Sequence, residues 1–253
     1  MRLLLDLGNT RLKWALQAST HAWIARGAEP WSPDLQAKLQ AAWSLGSPVR
    51  QACGASVVDA SREAEVAAAV GHAFGVATQW LRTPAHGCGV RNAYAAPERL
   101  GIDRFLLMVA AYAAGHAPCV LASAGTALTL DALHADGRHL GGLIAPGVRL
   151  MQQALLGATA QVRPERAGQI LDVADNTADA VASGCWQAAL ALIERFAERM
   201  AVPLGGAPAL LLSGGDAGGL QPLLARPAQL FPDGVLRGLA VWADTAVVPA
   251  SPG

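Results

Sequence analysis

Charge is scarce in this sequence: only 15% of its 253 residues are Asp, Glu, Lys or Arg, against a typical share of roughly 25%. The 19 basic residues balance the 19 acidic ones, so the basic excess of a nucleic-acid or anionic-membrane binder is missing and neither partner is expected. Lysine is nearly absent. Lys13 and Lys38 are the only two, so arginine fills almost every position where a generic positive charge suffices, and a lysine inside a motif is informative. With 53% of residues hydrophobic, disorder is excluded for most of the chain, and the length allows one large domain or two small ones.

Cysteine is sparse too. Cys53, Cys88, Cys119 and Cys185 form no CxxC pair and no Cys/His cluster, which suggests neither a zinc site nor a disulfide framework and fits a reducing cytoplasm. The apolar run Leu3-Leu4-Leu5 stops at Asp6, short of a signal peptide's hydrophobic region. One uncharged stretch, Phe105 to Leu130, is long enough to cross a bilayer. Gly115-His116-Ala117-Pro118 divides it into a predicted helix (Phe105 to Ala114) and strand (Cys119 to Ala122), both buried in a soluble core.

The chain opens as strand, turn, strand: Leu3 to Leu7, Gly8-Asn9-Thr10, Leu12 to Leu16, then a short strand at His21 to Ala25. A helix capped by Ser32 with Pro33 at its first position, strand Val49 to Cys53, helix Ala60 to Phe74 and strand Ala77 to Leu81 follow. The second half repeats that order, with strands at Pro118 to Ala122, Ala127 to Leu133 and Gly137 to Ile144. Helices Val148 to Leu156 and Thr177 to Met200, strand Ala209 to Ser213 and a helix at Val235 to Ala243 complete it. Leu3 to Thr10 and Val120 to Thr126 both run from an apolar strand through a polar residue and a glycine to a threonine, which points to an internal duplication.

Four segments carry chemistry. In Asp6-Leu7-Gly8-Asn9-Thr10-Arg11-Leu12-Lys13 a glycine admits an anion to the backbone, hydroxyl and amide groups supply donors, Asp6 can hold water on Mg²⁺ and Lys13 can reach a phosphate oxygen; the alternative is an ordinary hairpin. In Asn92 to Phe105, Asp103 can deprotonate a hydroxyl and Arg104 can hold an anion, whereas an isolated Asp-Arg pair is more often a helix cap with a surface arginine. Ser123-Ala124-Gly125-Thr126 and the Gly214-Gly215 turn offer further phosphate or base contacts, or are plain tight turns.

Taken together and in order, these segments resemble the type III pantothenate kinases of the acetate and sugar kinase/Hsp70/actin superfamily. The resemblance runs essentially end to end. It is carried by Asp6-x-Gly8-Asn9-Thr10-x-x-Lys13, Asn92-x-Tyr94-x-x-Pro97-x-x-Leu100-Gly101-x-Asp103-Arg104, Gly125-Thr126-Ala127-x-Thr129-x-Asp131, Gly141-Gly142-x-Ile144-x-Pro146-Gly147, Asn176-Thr177-x-x-Ala180-x-x-x-Gly184 and Ser213-Gly214-Gly215-Asp216.

The fold that the resemblance implies is α/β: two similar lobes of the actin-like ATPase (ribonuclease H-like) fold, residues 1–115 and 116–253, each a mixed sheet flanked by helices, with a cleft between them. The implied activity is ATP-dependent phosphorylation of pantothenate in a cytoplasmic homodimer, the first step towards coenzyme A. Asp6, Leu7, Gly8, Asn9, Thr10, Arg11, Leu12 and Lys13 would then cradle the ATP phosphates with Asp6 near Mg²⁺, Thr126 would meet them from the second lobe, and Gly214 and Gly215 would lie by the adenosine. Tyr94, Gly101, Ile102, Asp103 and Arg104 match the pantothenate-contacting segment, Asp103 matches the general base, and Thr177 matches a threonine reaching the substrate from the partner subunit.

One position departs from the pattern. The family's usual activating K⁺ or NH₄⁺ is held by an Asp where Ser123 stands, so no monovalent cation is expected at Ser123, unless Asp131 replaces that ligand. The alternatives to the pantothenate kinase are a related kinase of another small hydroxyl substrate and a non-enzymatic regulatory homologue, against which intact Asp6, Lys13 and Asp103 count.

Overall fold

A computed structural model of the chain describes residues 1–18, 22–44, 48–158 and 166–246. It contains two compact units, Met1–Gly115 with the segment from Gly234, and His116–Asp233.

The first unit begins with β1 (Arg2–Leu7), β2 (Arg11–Gln17) and β3 (Trp23–Pro30), an antiparallel meander. His21, the expected start of the third strand, lies outside the described residues, and that strand runs on to Pro30 rather than ending at Ala25. Helix α1 (Leu35–Trp43) follows; its cap position is Asp34, two residues later than Ser32, whose carbonyl instead accepts Leu35 N. Then come β4 (Gln51–Ser56), α2 (Ala60–Phe74) and β5 (Thr78–Leu81), with Asp59 capping α2 through Arg62 N. The sheet order is β3-β2-β1-β4-β5, and β4 and β5 lie parallel to β1.

Alternation sorts the strand residues. Leu3, Leu5 and Leu7 join Leu12, Trp14 and Leu16 with the apolar stripes of α1 and α2 in one buried core. A small hairpin, β6 (His86–Gly87) and β7 (Val90–Arg91), precedes α3 (Ile102–Ala113).

The second unit has the same plan. Strands β8 (Cys119–Ala124), β9 (Ala127–Leu133) and β10 (His139–Pro146) form a meander, followed by helices α4 (Val148–Ala158) and α5 (Thr177–Met200). Strand β11 (Ala209–Ser213), the short α6 (Ala217–Leu220) and β12 (Gln229–Leu230) give the order β10-β9-β8-β11-β12, with β11 parallel to β8. The strand order and directions match those of the first sheet. Val120, Ala122, Leu128, Leu130, Leu210 and Leu212 pack on the Cys185, Ala189 and Ile193 face of α5.

The C-terminal helix α7 (Gly234–Ala246) corrects the expected division at 116–253. It packs on α3, β1 and β4 of the first unit. Its buried Leu236, Leu239 and Ala243 supply the apolar stripe, and Gly238 brings its backbone onto α3, because a Cβ there would stand 2.1 Å from the Leu106 carbonyl oxygen. No described helix is long and apolar enough to cross a membrane.

Candidate active site

The turn between β1 and β2 is closed by Gly8 N donating to Arg11 O at 3.1 Å. Strand register places Asp6 directly opposite Lys13, and Leu7 opposite Leu12. Directly opposed residues share a face, so Asp6 and Lys13 project together, both half-buried, while Asn9, Thr10 and Arg11 are exposed at the tip. Leu7 and Leu12 project the other way and are fully buried, so of the eight residues expected to hold phosphates these two offer only backbone. The chemistry of this tip is that of an anion seat: backbone N–H groups, neutral side-chain donors, one ammonium and one carboxylate.

A second cluster surrounds the start of α3. Gly101 occupies the cap position, so Asp103 is in the first turn of the helix rather than capping it. Its Oδ1 accepts the backbone N–H of Arg104 at 2.8 Å, which orients the carboxylate at the helix's positive end. Arg104 is not a surface residue. It is only 4% exposed, and Nη1 donates to the Tyr94 hydroxyl at 3.1 Å. The loop that delivers Tyr94 is tied by Asn92, whose Nδ2 donates to Pro97 O at 3.1 Å and whose Oδ1 accepts Tyr94 N at 2.9 Å. From beneath, the buried Thr83 hydroxyl donates to Leu100 O at 2.6 Å, fixing the chain just before Gly101 and Ile102. Tyr94, Gly101, Ile102, Asp103 and Arg104 are thus brought together in one cluster.

In the second unit, Gly125 and Thr126 form the turn from β8 to β9, and the Thr126 carbonyl accepts Gly147 N at 2.9 Å. The Gly214-Gly215 turn folds back on the same place. Gly214 has φ +92°, and a Cβ on it would meet the Ala124 carbonyl oxygen at 2.2 Å, so only glycine fits. Asp216 N then donates to that carbonyl at 3.1 Å, which seats the turn beside Gly125 and Thr126.

Ser123 lies in register with Thr129 on one side and Ser213 on the other, a row of three hydroxyls on one face of the sheet. Asp131 is one step further along, opposite Leu121, fully buried and 2.9 Å from His139 Nε2. The hydrogen bond with His139 commits one of its oxygens away from the Ser123 row.

Thr177, exposed, opens α5 after the Asn176 cap. Asp179 anchors the chain leading to it: its carboxylate accepts both Arg166 Nη1 and Nη2, at 2.8 and 2.9 Å, as well as Gln169 N and Asn176 Nδ2. The Arg166 guanidinium, then the Asn176 amide and Gln169 N–H, hold the Asp179 carboxyl well below the usual carboxylate range. Beside Thr177 an open groove of about 1040 Å³ runs between α4 and α5, lined by Met151, Ala154, Leu155, Val181 and Cys185.

The family model for type III pantothenate kinase matches residues 2–199 of the chain. The sequence is 42% identical to the type III pantothenate kinase of Aromatoleum aromaticum over 246 residues, 96% of this chain and 98% of that relative. It is 43% identical to the type III pantothenate kinase of Laribacter hongkongensis over 241 residues, 95% of this chain and 97% of that one. This chain belongs to the type III pantothenate kinases. Among solved structures the kinase is similar to the activator of 2-hydroxyisocaproyl-CoA dehydratase from Clostridium difficile, with a TM-score of 0.55, 10% identity and 99% of each chain covered. That likeness shows the duplicated actin-like fold, two mixed sheets flanked by helices.

Sequence reasoning missed three residues of this kinase that hold the site from behind: Thr83, His139 and Trp31, whose indole N–H donates to Gly8 O at 2.8 Å. None stands in a motif with recognisable spacing. Asn92 was inside a motif, but its work as a loop tie is visible only in the folded chain.

Proposed function

We propose that Asp103 is the base through which this kinase carries out ATP-dependent phosphorylation of pantothenate to 4'-phosphopantothenate, the first step of coenzyme A biosynthesis. Family membership supplies the reaction; the Asp103–Arg104–Tyr94 cluster at the start of α3 is the observation that carries the residue roles. Tyr94, Gly101, Ile102 and Arg104 position pantothenate, and the guanidinium of Arg104 receives its carboxylate. The primary hydroxyl gives its proton to Asp103 as its oxygen bonds the γ-phosphorus of ATP and the bond from that phosphorus to the β,γ-bridging oxygen breaks, releasing ADP. Phosphoryl transfer needs mainly in-line positioning and charge neutralisation, so one carboxylate suffices on the protein side.

Asp6 to Lys13 hold the ATP phosphates, Thr126 adds a donor and the Gly214-Gly215 turn receives the adenosine. Asp6 fits a water-mediated Mg²⁺, which keeps most of its waters and takes few carboxylates when phosphates are its other ligands; the ion supplies charge neutralisation at the phosphates. No monovalent cation is assigned to Ser123.

A cytoplasmic homodimer is part of the same reading. The apolar α4–α5 groove, with Leu155 of its lining 43% accessible, is a surface that a second copy would cover, bringing Thr177 to its neighbour's substrate. A coupled ADP-release assay with ATP, Mg²⁺ and pantothenate tests the function. ADP and phosphopantothenate should form in equal amounts; ADP with other acceptors alone would point to a related hydroxyl kinase, and none with any acceptor to a regulatory homologue.

A further inference from the structure

Trp31 is the first residue after β3, and its indole Nε1 donates to the carbonyl of Gly8, in the turn of the first hairpin, at 2.8 Å. The sheet brings it there. Pro30, at the end of β3, pairs with Arg11, where β2 begins, so the chain leaves β3 beside the turn. One face of the ring is covered by Arg62 of α2, whose guanidinium carbon lies 4.9 Å from the ring centroid. Arg62 is itself fixed at the start of that helix, its N–H donating to Asp59 Oδ1 at 3.0 Å.

An indole N–H does not find such a partner by default in this chain. Trp14, Trp43 and Trp242 all bury theirs with no hydrogen-bond partner among the described residues, whereas Trp31 directs its own at one carbonyl of the turn.

The peptide plane converts that bond into an orientation. In a trans peptide the C=O of residue 8 and the N–H of residue 9 point in opposite directions from a rigid plane, so holding the Gly8 oxygen towards Trp31 turns the Asn9 N–H away from it. That N–H has no acceptor among the described residues. Gly8, without a side chain, is the position where the plane could otherwise rotate most readily. We infer that Trp31 is a positioning residue for nucleotide: by holding the Gly8 carbonyl, and with its ring clamped by Arg62, it presets the Asn9 N–H as a donor to an ATP phosphate oxygen. The inference rests on the assignment of this hairpin to the ATP phosphates.

The test compares wild type with Trp31→Phe, which keeps an aromatic ring for Arg62 and removes only the N–H donor and part of the ring's area. ATP affinity should fall about fivefold to twentyfold, the size of one lost donor interaction of roughly 1–2 kcal/mol. The KM for pantothenate should stay within about twofold, and the circular dichroism spectrum should be unchanged; a general structural defect would instead raise both constants. In 5-fluorotryptophan-labelled wild type, the ¹⁹F resonance that Trp31→Phe removes should also shift when a non-hydrolysable ATP analogue binds. If the variant does not fold, Arg62→Ala, which uncovers the face of the ring that Arg62 holds, carries the test with an expected twofold to fivefold loss of ATP affinity. Wild type that binds ATP while whichever folded variant is measured binds it equally well overturns the role of Trp31 alone. Wild type that binds no ATP overturns the nucleotide assignment of the hairpin, and this inference with it.

Discussion

Arg104 and Tyr94 hold each other in place: Nη1 donates to the phenol oxygen at 3.1 Å, and the guanidinium carbon stands 5.9 Å from the ring centroid. A buried guanidinium needs such partners, and a planar fork leaves its remaining N–H groups fixed in direction. Arg104→Lys keeps the charge but loses the fork. The expected result is a rise of about tenfold or more in the pantothenate KM with a smaller change in kcat, since a charged hydrogen bond contributes roughly 1.5–3 kcal/mol. Equal KM values in steady-state kinetics would remove Arg104 from substrate binding.

Asp103→Asn preserves size and the acceptor oxygen for Arg104 N while removing the basic oxygen pair. Turnover should fall about 10²- to 10⁴-fold with the circular dichroism spectrum unchanged and pantothenate still bound. Turnover within about threefold of wild type would show that another group takes the proton.

At Ser123 a neutral hydroxyl supplies no full negative charge for a dehydrated K⁺, and Asp131 is bonded to His139 instead. Initial rates in K⁺ and in tetramethylammonium at equal ionic strength should therefore be similar for wild type, and K⁺ should accelerate Ser123→Asp. A strong K⁺ requirement in wild type would sink this expectation.

Asp103→Asn and Thr177→Arg subunits should each be inactive alone. Mixed, they should recover about a quarter of wild-type activity, because half of randomly paired dimers are heterodimers and each carries one intact composite site. Heterodimers verified by mass spectrometry that stay inactive would count against a shared site.

Asp179→Asn should lower the melting temperature at pH 7 by loosening the chain that leads to Thr177. The Asp179 carboxyl is held below its ordinary range by Arg166 first, so its stabilising effect is full above the unfolded value near 4 and is lost as pH falls towards the folded one. Melting curves at pH 7, 5 and 3 should show a constant gap between variant and wild type at the first two and a narrower gap at pH 3. A gap that widened on acidification would contradict the carboxylate's role.

Sequence alone determined what depends on neighbours in the chain: the turns at Gly8 to Thr10 and Gly125-Thr126, the helix over Thr177 to Met200, the strand over Ala209 to Ser213 and the placing of Asp103 and Arg104 at one helix start. Glycine, polar turn residues and apolar periodicity act locally, so their signals survive in one dimension. Tertiary structure decided the rest, because it depends on which distant surfaces meet. Helix α7 joined the first unit when its Leu236 and Leu239 stripe found α3, more than a hundred residues away. Likewise Asp131 went to His139, Thr83 to the carbonyl of Leu100 and Trp31 to that of Gly8, all through side-chain donors or acceptors that sheet register, strand exit and loop path carry to them. A hydrogen bond over 2.6 to 2.9 Å is fixed by packing in three dimensions, and no spacing along the chain records it.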